Sequence, residues 1–149
     1  MTRMQMVRAV LSLAAVVCLA AGLTAQAPPA TSEPGPVVES FYKLAPGKSE
    51  EWLEIYRTHH LPVLRELQRE GRLVSITIYR PVLHQGGPPW DYKVILVWRD
   101  FDAFGDRAHE EAVEHRLFTA WLPHREAERR RWEITEKHWD DLMAVLPSE

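Results

Sequence analysis

Hydrophobic and polar positions alternate with two different periods along the chain, and the changes of period mark its elements. Residues 37–44 (VVESFYKL) read as a strand that ends at the turn Ala45-Pro46-Gly47. A helix is predicted from Ser49, a candidate N-cap followed by Glu50 and Glu51, to about Glu70, with Gly71 as its stop. Within it Trp52, Leu53, Tyr56, His60, Val63, Leu64 and Leu67 recur at spacings of three and four, so one face is apolar and contains a histidine. Pro62 removes the amide that would bond the Thr58 carbonyl, and a kink is expected there.

The period then shortens to two. Residues 72–82 (RLVSITIYRPV) place Val74, Ile76 and Ile78 on one face and Leu73, Ser75, Thr77 and Tyr79 on the other. A loop rich in Gly and Pro (HQGGPPWDY) leads into a second strand, residues 93–99 (KVILVWR), and the short connection predicts an antiparallel hairpin. A turn of helix at Phe101–Phe104 follows, then a helix over 107–121 broken by Pro123, then a charged helix from about Glu126 toward His138. The apolar stretch Leu142–Leu146 reads as a last strand. The order is βαββαβ, an α+β, ferredoxin-like arrangement with a four-stranded antiparallel sheet and helices on one face.

The N-terminus reads differently. Residues 1–8 carry Arg3 and Arg8 without an acid, residues 9–21 are uninterruptedly apolar, and GLTAQA follows, which is the pattern of a secretory signal. The apolar core of about 13 residues falls short of the roughly 20 that span a bilayer. The expected organisation is a signal peptide at 1–27, a Pro-rich leader at 28–36 and a single domain at 37–149, exported to the periplasm or beyond. No stable membrane insertion is expected after processing. Composition changes with that cut. The full chain has 149 residues, 18 Lys+Arg against 21 Asp+Glu, and one Cys. Removing residues 1–27 takes away the cysteine and two arginines, so the mature protein has a net charge of −5 and keeps all seven histidines. With acids and bases interspersed, there is no basic footprint for nucleic acid.

The segments FYKLAPGKSEEWLEIYR, HHLPVL, RLVSITIYRPV, YKVILVWRDFDAF and EKHWD resemble the dimeric α/β-barrel superfamily, which includes NIPSNAP-type, antibiotic-biosynthesis-monooxygenase-like and stress-responsive A/B-barrel domains. The resemblance implies a homodimer in which two sheets pair into a barrel. It also implies a cavity between sheet and helices, which holds haem in some branches and an aromatic polyketide in others. No catalytic set is common to the superfamily. Burial of the mixed face carrying Ser75, Thr77 and Tyr79 is in keeping with such a dimer.

Candidate chemistry centres on the histidines. His60, on the apolar helix face, is the candidate catalytic base, with His59 beside it, although adjacent histidines point about 100° apart and chelate one ion poorly. Tyr56, His59, Tyr79, Trp90, Asp91 and His138 are the candidate ligand-binding residues. Each has a structural counterpart: Trp90 as a plug, Asp91 as a cap on a backbone amide, His138 as the charged end of a helix. The run Arg129-Arg130-Arg131, flanked by Glu126, Glu128 and Glu133, reads as a solvated, salt-bridged face. No metal motif, nucleophile elbow or phosphate loop is present. The expected function is an apolar or aromatic small-molecule pocket between sheet and helices. The alternatives are a cofactor-independent monooxygenase or isomerase, a haem-binding protein, and a purely structural dimer module.

Overall fold

The computed structural model describes residues 35–83 and 86–146; the expected signal at 1–27 and most of the leader lie outside them. Strands β1 (Val37–Leu44), β2 (Leu73–Tyr79), β3 (Tyr92–Trp98) and β4 (Thr135–Met143) form one antiparallel sheet in the order β2-β3-β1-β4. Helices α1 (Ser49–Ile55) and α2 (Leu61–Arg69) are joined end to end by a π-helical turn, Tyr56–His60, and α3 (Phe101–Gly105), α4 (Arg107–Leu117) and α5 (Trp121–Glu133) connect β3 to β4. This is the α+β, ferredoxin-like arrangement the pattern predicts.

The expected kink takes the form of that π turn. The Leu61 amide donates to the Tyr56 carbonyl, five residues back, immediately before Pro62, which has no amide to give. The Thr58 hydroxyl donates to the Glu54 carbonyl at 2.8 Å, so the loosened turn keeps its acceptors occupied. Downstream, Gly71 adopts φ of 73° and the Arg72 amide reaches the Leu67 carbonyl at 2.9 Å, a Schellman-type stop that favours glycine.

Several boundaries differ from the sequence reading. The cap of α1 is Lys48, not Ser49. The end of the expected leader packs on β3: Pro36 is buried and its carbonyl accepts from the Trp98 amide at 3.0 Å, while a Cβ on Gly35 would lie 2.1 Å from the Trp98 carbonyl oxygen. In β2 a bulge between Leu73 and Ser75 puts Leu73 in the core and leaves Val74 61% exposed, so Leu73 and not Val74 shares a face with Ile76 and Ile78. Pro123 does not break a helix; it occupies the first turn of α5, where its missing amide costs nothing. The last strand is Thr135–Met143 rather than 142–146, and His138 lies in its middle rather than at a helix end.

The core fills the space between sheet and helices. Trp52, fully buried, stacks on Tyr56 at 4.9 Å and on Tyr92 at 5.2 Å, while its indole nitrogen donates to the Thr135 hydroxyl at 3.1 Å. On the opposite face, the cross-strand partners Tyr79, Lys93, Phe41 and Trp139 form a row. Phe41 and Trp139 stack at 4.9 Å, and the Lys93 ammonium lies 5.5 Å from the Phe41 ring and 5.4 Å from that of Tyr79.

Candidate functional site

A cavity of about 290 Å³ lies between the sheet and the helices at the β4 side. The sheet supplies Tyr42 from β1, Trp98 from β3 and His138 from β4; the helices supply His60 from the π turn, Leu64 from α2 and Arg131 from α5. Val38, Leu96, Phe104 and Trp132 add apolar wall. His138 is opposite Tyr42 in the strand register, and the two rings lie 4.6 Å apart. His60 rests on the buried Tyr56 ring at 5.0 Å.

The structure therefore brings His60 and His138 to one cavity and disperses the other sequence candidates. Tyr56 lies behind His60, in the core. His59 turns toward α5, where its Nδ1 is 3.2 Å from Nδ1 of the buried His124, whose Nε2 is 2.6 Å from Glu114 Oε1. Asp91 accepts from the Lys43 ammonium at 2.9 Å and the Leu44 amide at 2.8 Å, tying the end of the hairpin loop to β1. Trp90 meets Phe41 edge-on at 5.9 Å, on the same sheet face as Tyr79 and away from the cavity.

Arg131 is the residue the sequence hides. It was expected on a solvated face, but it is 2% exposed, with its guanidinium 4.8 Å from the Trp132 ring and 5.6 Å from that of Tyr56. Its Nη2 donates to Glu128 Oε2 at 2.7 Å and its Nε lies 3.3 Å from both carboxylate oxygens. Its Nη1 is buried without a hydrogen-bond partner, as are Nε1 of Trp98 and Nε2 of His138; the last is 3.3 Å from Asp140 Oδ1 but without hydrogen-bond geometry. Three unpartnered nitrogens on residues lining one cavity are costly, since each buried unsatisfied polar group costs about 1–3 kcal/mol. Such groups call for a partner from outside the chain, a water or a bound molecule, or for a role in function; Arg72 Nε and the Tyr92 hydroxyl, which do not line the cavity, are buried without partners too.

Burial disfavours the charged forms of the two histidines at the cavity. Burial, helped by the Arg131 charge, pushes His60 down to about 4, against a smaller opposing pull from Glu128, 3.9 Å away. Burial lowers His138 as well, so it is not the charged end of a helix that its sequence position suggested. Burial pushes the Tyr42 hydroxyl up, partly countered by Arg131 and Ser40. Burial would also raise Glu128, but Arg131 outweighs it and holds the carboxyl below its ordinary range. Among the described residues, no group of three or more His, Cys, Asp or Glu is placed to hold a metal, and no helix is long and apolar enough to cross a membrane.

No protein-family model matches the sequence, and no curated protein matches it. Solved structures do share its fold. A dimeric ferredoxin-like protein from an uncultured marine organism superposes with a TM-score of 0.56 at 8% identity, over 78% of this chain and 92% of its own. A putative antibiotic biosynthesis monooxygenase from Caulobacter crescentus CB15 superposes at 0.52 with 14% identity, over 77% and 92%. A NIPSNAP family protein from Agrobacterium tumefaciens str. C58 gives 0.46 at 17% identity, over 74% and 85%. The chain thus has a ferredoxin-like fold.

Proposed function

We propose that this protein is an exported homodimer that binds an apolar or aromatic small molecule in the cavity between its sheet and its helices. The observation that carries the reading is the convergence of His60, His138 and Arg131, with unpartnered polar atoms on the last two, on a cavity whose wall also has the apolar side chains Val38, Leu64, Leu96 and Phe104. The row Tyr79, Lys93, Phe41 and Trp139 on the uncovered face supports self-association, because a row of large half-apolar side chains gains by being covered. One of the solved proteins sharing the fold is described as dimeric, which agrees with this.

Binding is favoured over base catalysis by the state of His60. A histidine titrating near 4 is neutral at pH 7 but too weak a base to take up a proton readily, whereas an effective catalytic base titrates close to the working pH. The cofactor-independent monooxygenase or isomerase reading needs bound substrate to raise it. Haem is disfavoured by size: ligand sites usually occupy roughly 300–1,000 Å³, and a macrocycle needs far more than the small end of that range.

The test is direct. Binding of the uncharged fluorophore N-phenyl-1-naphthylamine to the mature protein should be saturable and should vanish in Leu64→Trp, which fills the cavity from α2; unchanged binding in that variant would remove the reading. Light scattering at micromolar concentration should return a dimer. The mass of the protein recovered from the periplasm or medium should place its N-terminus after residue 25 or 27. Titration with haem should give no Soret band dependent on His60 or His138.

A further inference from the structure

We infer that the protein has a second small-molecule site, a groove at the β2 edge of the sheet that takes a singly charged amphipathic carboxylate between Arg57 and Arg80. The groove lies at the opposite edge of the sheet from the cavity described above and is independent of how that cavity is read.

At the β2 edge, sheet and helices leave a space of about 360 Å³ between them. One wall is helical: Glu50, Leu53 and Arg57 recur at spacings of three and four, so they form one stripe along α1 and the π turn. The other wall is the end of β2, where Ile78 and, by alternation, Arg80 fall on the side facing the helices, beside Tyr92 of β3. An adjoining space of about 330 Å³ shares Glu50, Arg80 and Tyr92 with the groove. Its other acid, Asp91, is held by Lys43 at 2.9 Å.

Arg57 and Arg80 are exposed, one on each wall, and stand unpaired. Most lysines and arginines among the described residues meet a carboxylate within 4.0 Å. Besides Arg57 and Arg80, only Arg65, Arg125 and Lys137 of them do not, and Arg125 lies over the Trp121 ring. Burial and Glu50 push the Tyr92 hydroxyl up, while Arg80 and Arg57 pull it back, so both charges are felt at one side chain of the groove.

The balance of charge selects the ligand. Two bases against one unpaired acid, Glu50, leave a surplus of one positive charge, in a chain whose formal net charge is −3. A carboxylate balances that surplus, and the planar forks of two arginines suit its two oxygens. A cation would meet two like charges, and a phosphate dianion would leave excess negative charge beside Glu50. Leu53, Ile78 and the rings of Tyr79 and Tyr92 give the body of the ligand an apolar contact, and the volume restricts it to no more than a few fused rings.

The test is titration calorimetry of the mature protein at neutral pH and low salt with 2-naphthoate, its uncharged isostere 2-naphthamide, and inorganic phosphate. 2-Naphthoate should bind at least about tenfold more tightly than the amide, and added salt should shrink the difference. Arg57→Gln and Arg80→Gln should each weaken 2-naphthoate by about threefold or more and leave the amide unchanged. Arg65→Gln, which removes an unpaired arginine outside the groove, should change neither. Equal binding of 2-naphthoate and the amide, or undiminished 2-naphthoate binding in both groove variants, would overturn the site. Phosphate binding as tightly as 2-naphthoate would overturn the amphipathic class. Loss of 2-naphthoate in Leu64→Trp but in neither groove variant would put the anion in the inner cavity, overturning this site and leaving the reading of that cavity in place. Failure of 2-naphthoate to bind at millimolar concentration would overturn the inference outright.

Discussion

The space between sheet and helices has two halves that solve the same packing problem in opposite ways. Around Trp52, the rings of Tyr56 and Tyr92 stack on the indole, Tyr42 meets it at a tilt, and the indole nitrogen finds the Thr135 hydroxyl, so the space is filled, although the Tyr92 hydroxyl is buried without a partner. Around Arg131, only a few residues away, a cavity remains and three buried nitrogens go without partners. The same layers, a short distance apart, are closed in one place and left open in the other. The first half is closed by packed rings; the second keeps a small-molecule-sized space lined by polar and apolar side chains together.

The π turn separates the two halves. Five residues in one turn send Tyr56 into the stacked core, His60 to the cavity and His59 to His124, which an unbroken α-helix would not do with this sequence. The turn follows from Pro62, so a single backbone amide missing from the sequence sets how the side chains divide.

Substitutions can test how sharp the division is, from the largest effect to the smallest. Trp52→Ala should cost about 3–5 kcal/mol in urea unfolding, because it empties the closed half and removes the indole's bond to the Thr135 hydroxyl. Glu128→Ala should cost roughly 3 kcal/mol by the same measurement, since it leaves the buried Arg131 charge unpaired. A loss comparable to a surface ion pair, under about 1 kcal/mol, would place Arg131 in water after all.

Acid should act on the open half first. His60, His59 and His138 all titrate lower in the folded protein than in the unfolded chain, so the unfolded chain binds more protons below its ordinary histidine pKa. Their contribution to stability is present above about pH 6.5 and is lost as pH falls toward 4, by about 2 kcal/mol for His60, whose ring keeps some solvent contact. Unfolding at pH 7, 5.5 and 4 should show the loss, and His60→Phe should reduce it. Last, Val38→Leu, which grows into the cavity, should change stability by less than about 0.5 kcal/mol, whereas Val113→Leu, at a fully buried position, should cost about 1–3 kcal/mol. Equal costs at both positions would mean that the two halves are packed alike.

Much of the fold was legible because it is written in local periods. Alternation marks β1, the hairpin and the strands that flank it, and Gly71 stops α2 because it takes a positive φ there. The fourth strand was misplaced for a physical reason. It is an edge strand whose inward residues, His138 and Asp140, line a polar cavity, so the apolar alternation that announces a strand is absent where it does its work. The same cause hid Arg131. In the run Arg129-Arg130-Arg131 nothing distinguishes the residue that is buried from the two that meet Glu133 and Glu51 at the surface.

By itself, then, the sequence determined the order of elements, the ferredoxin-like class, the place of the helix break and the presence of a histidine on an apolar helix face, because each depends on neighbours within a turn or two of chain. The tertiary structure decided which charged residue is buried, which histidines meet and where donors go unmet. Those depend on partners brought together from β1, β3, β4, α2 and α5, from Val38 at one end of the domain to Asp140 at the other, and no local period records them.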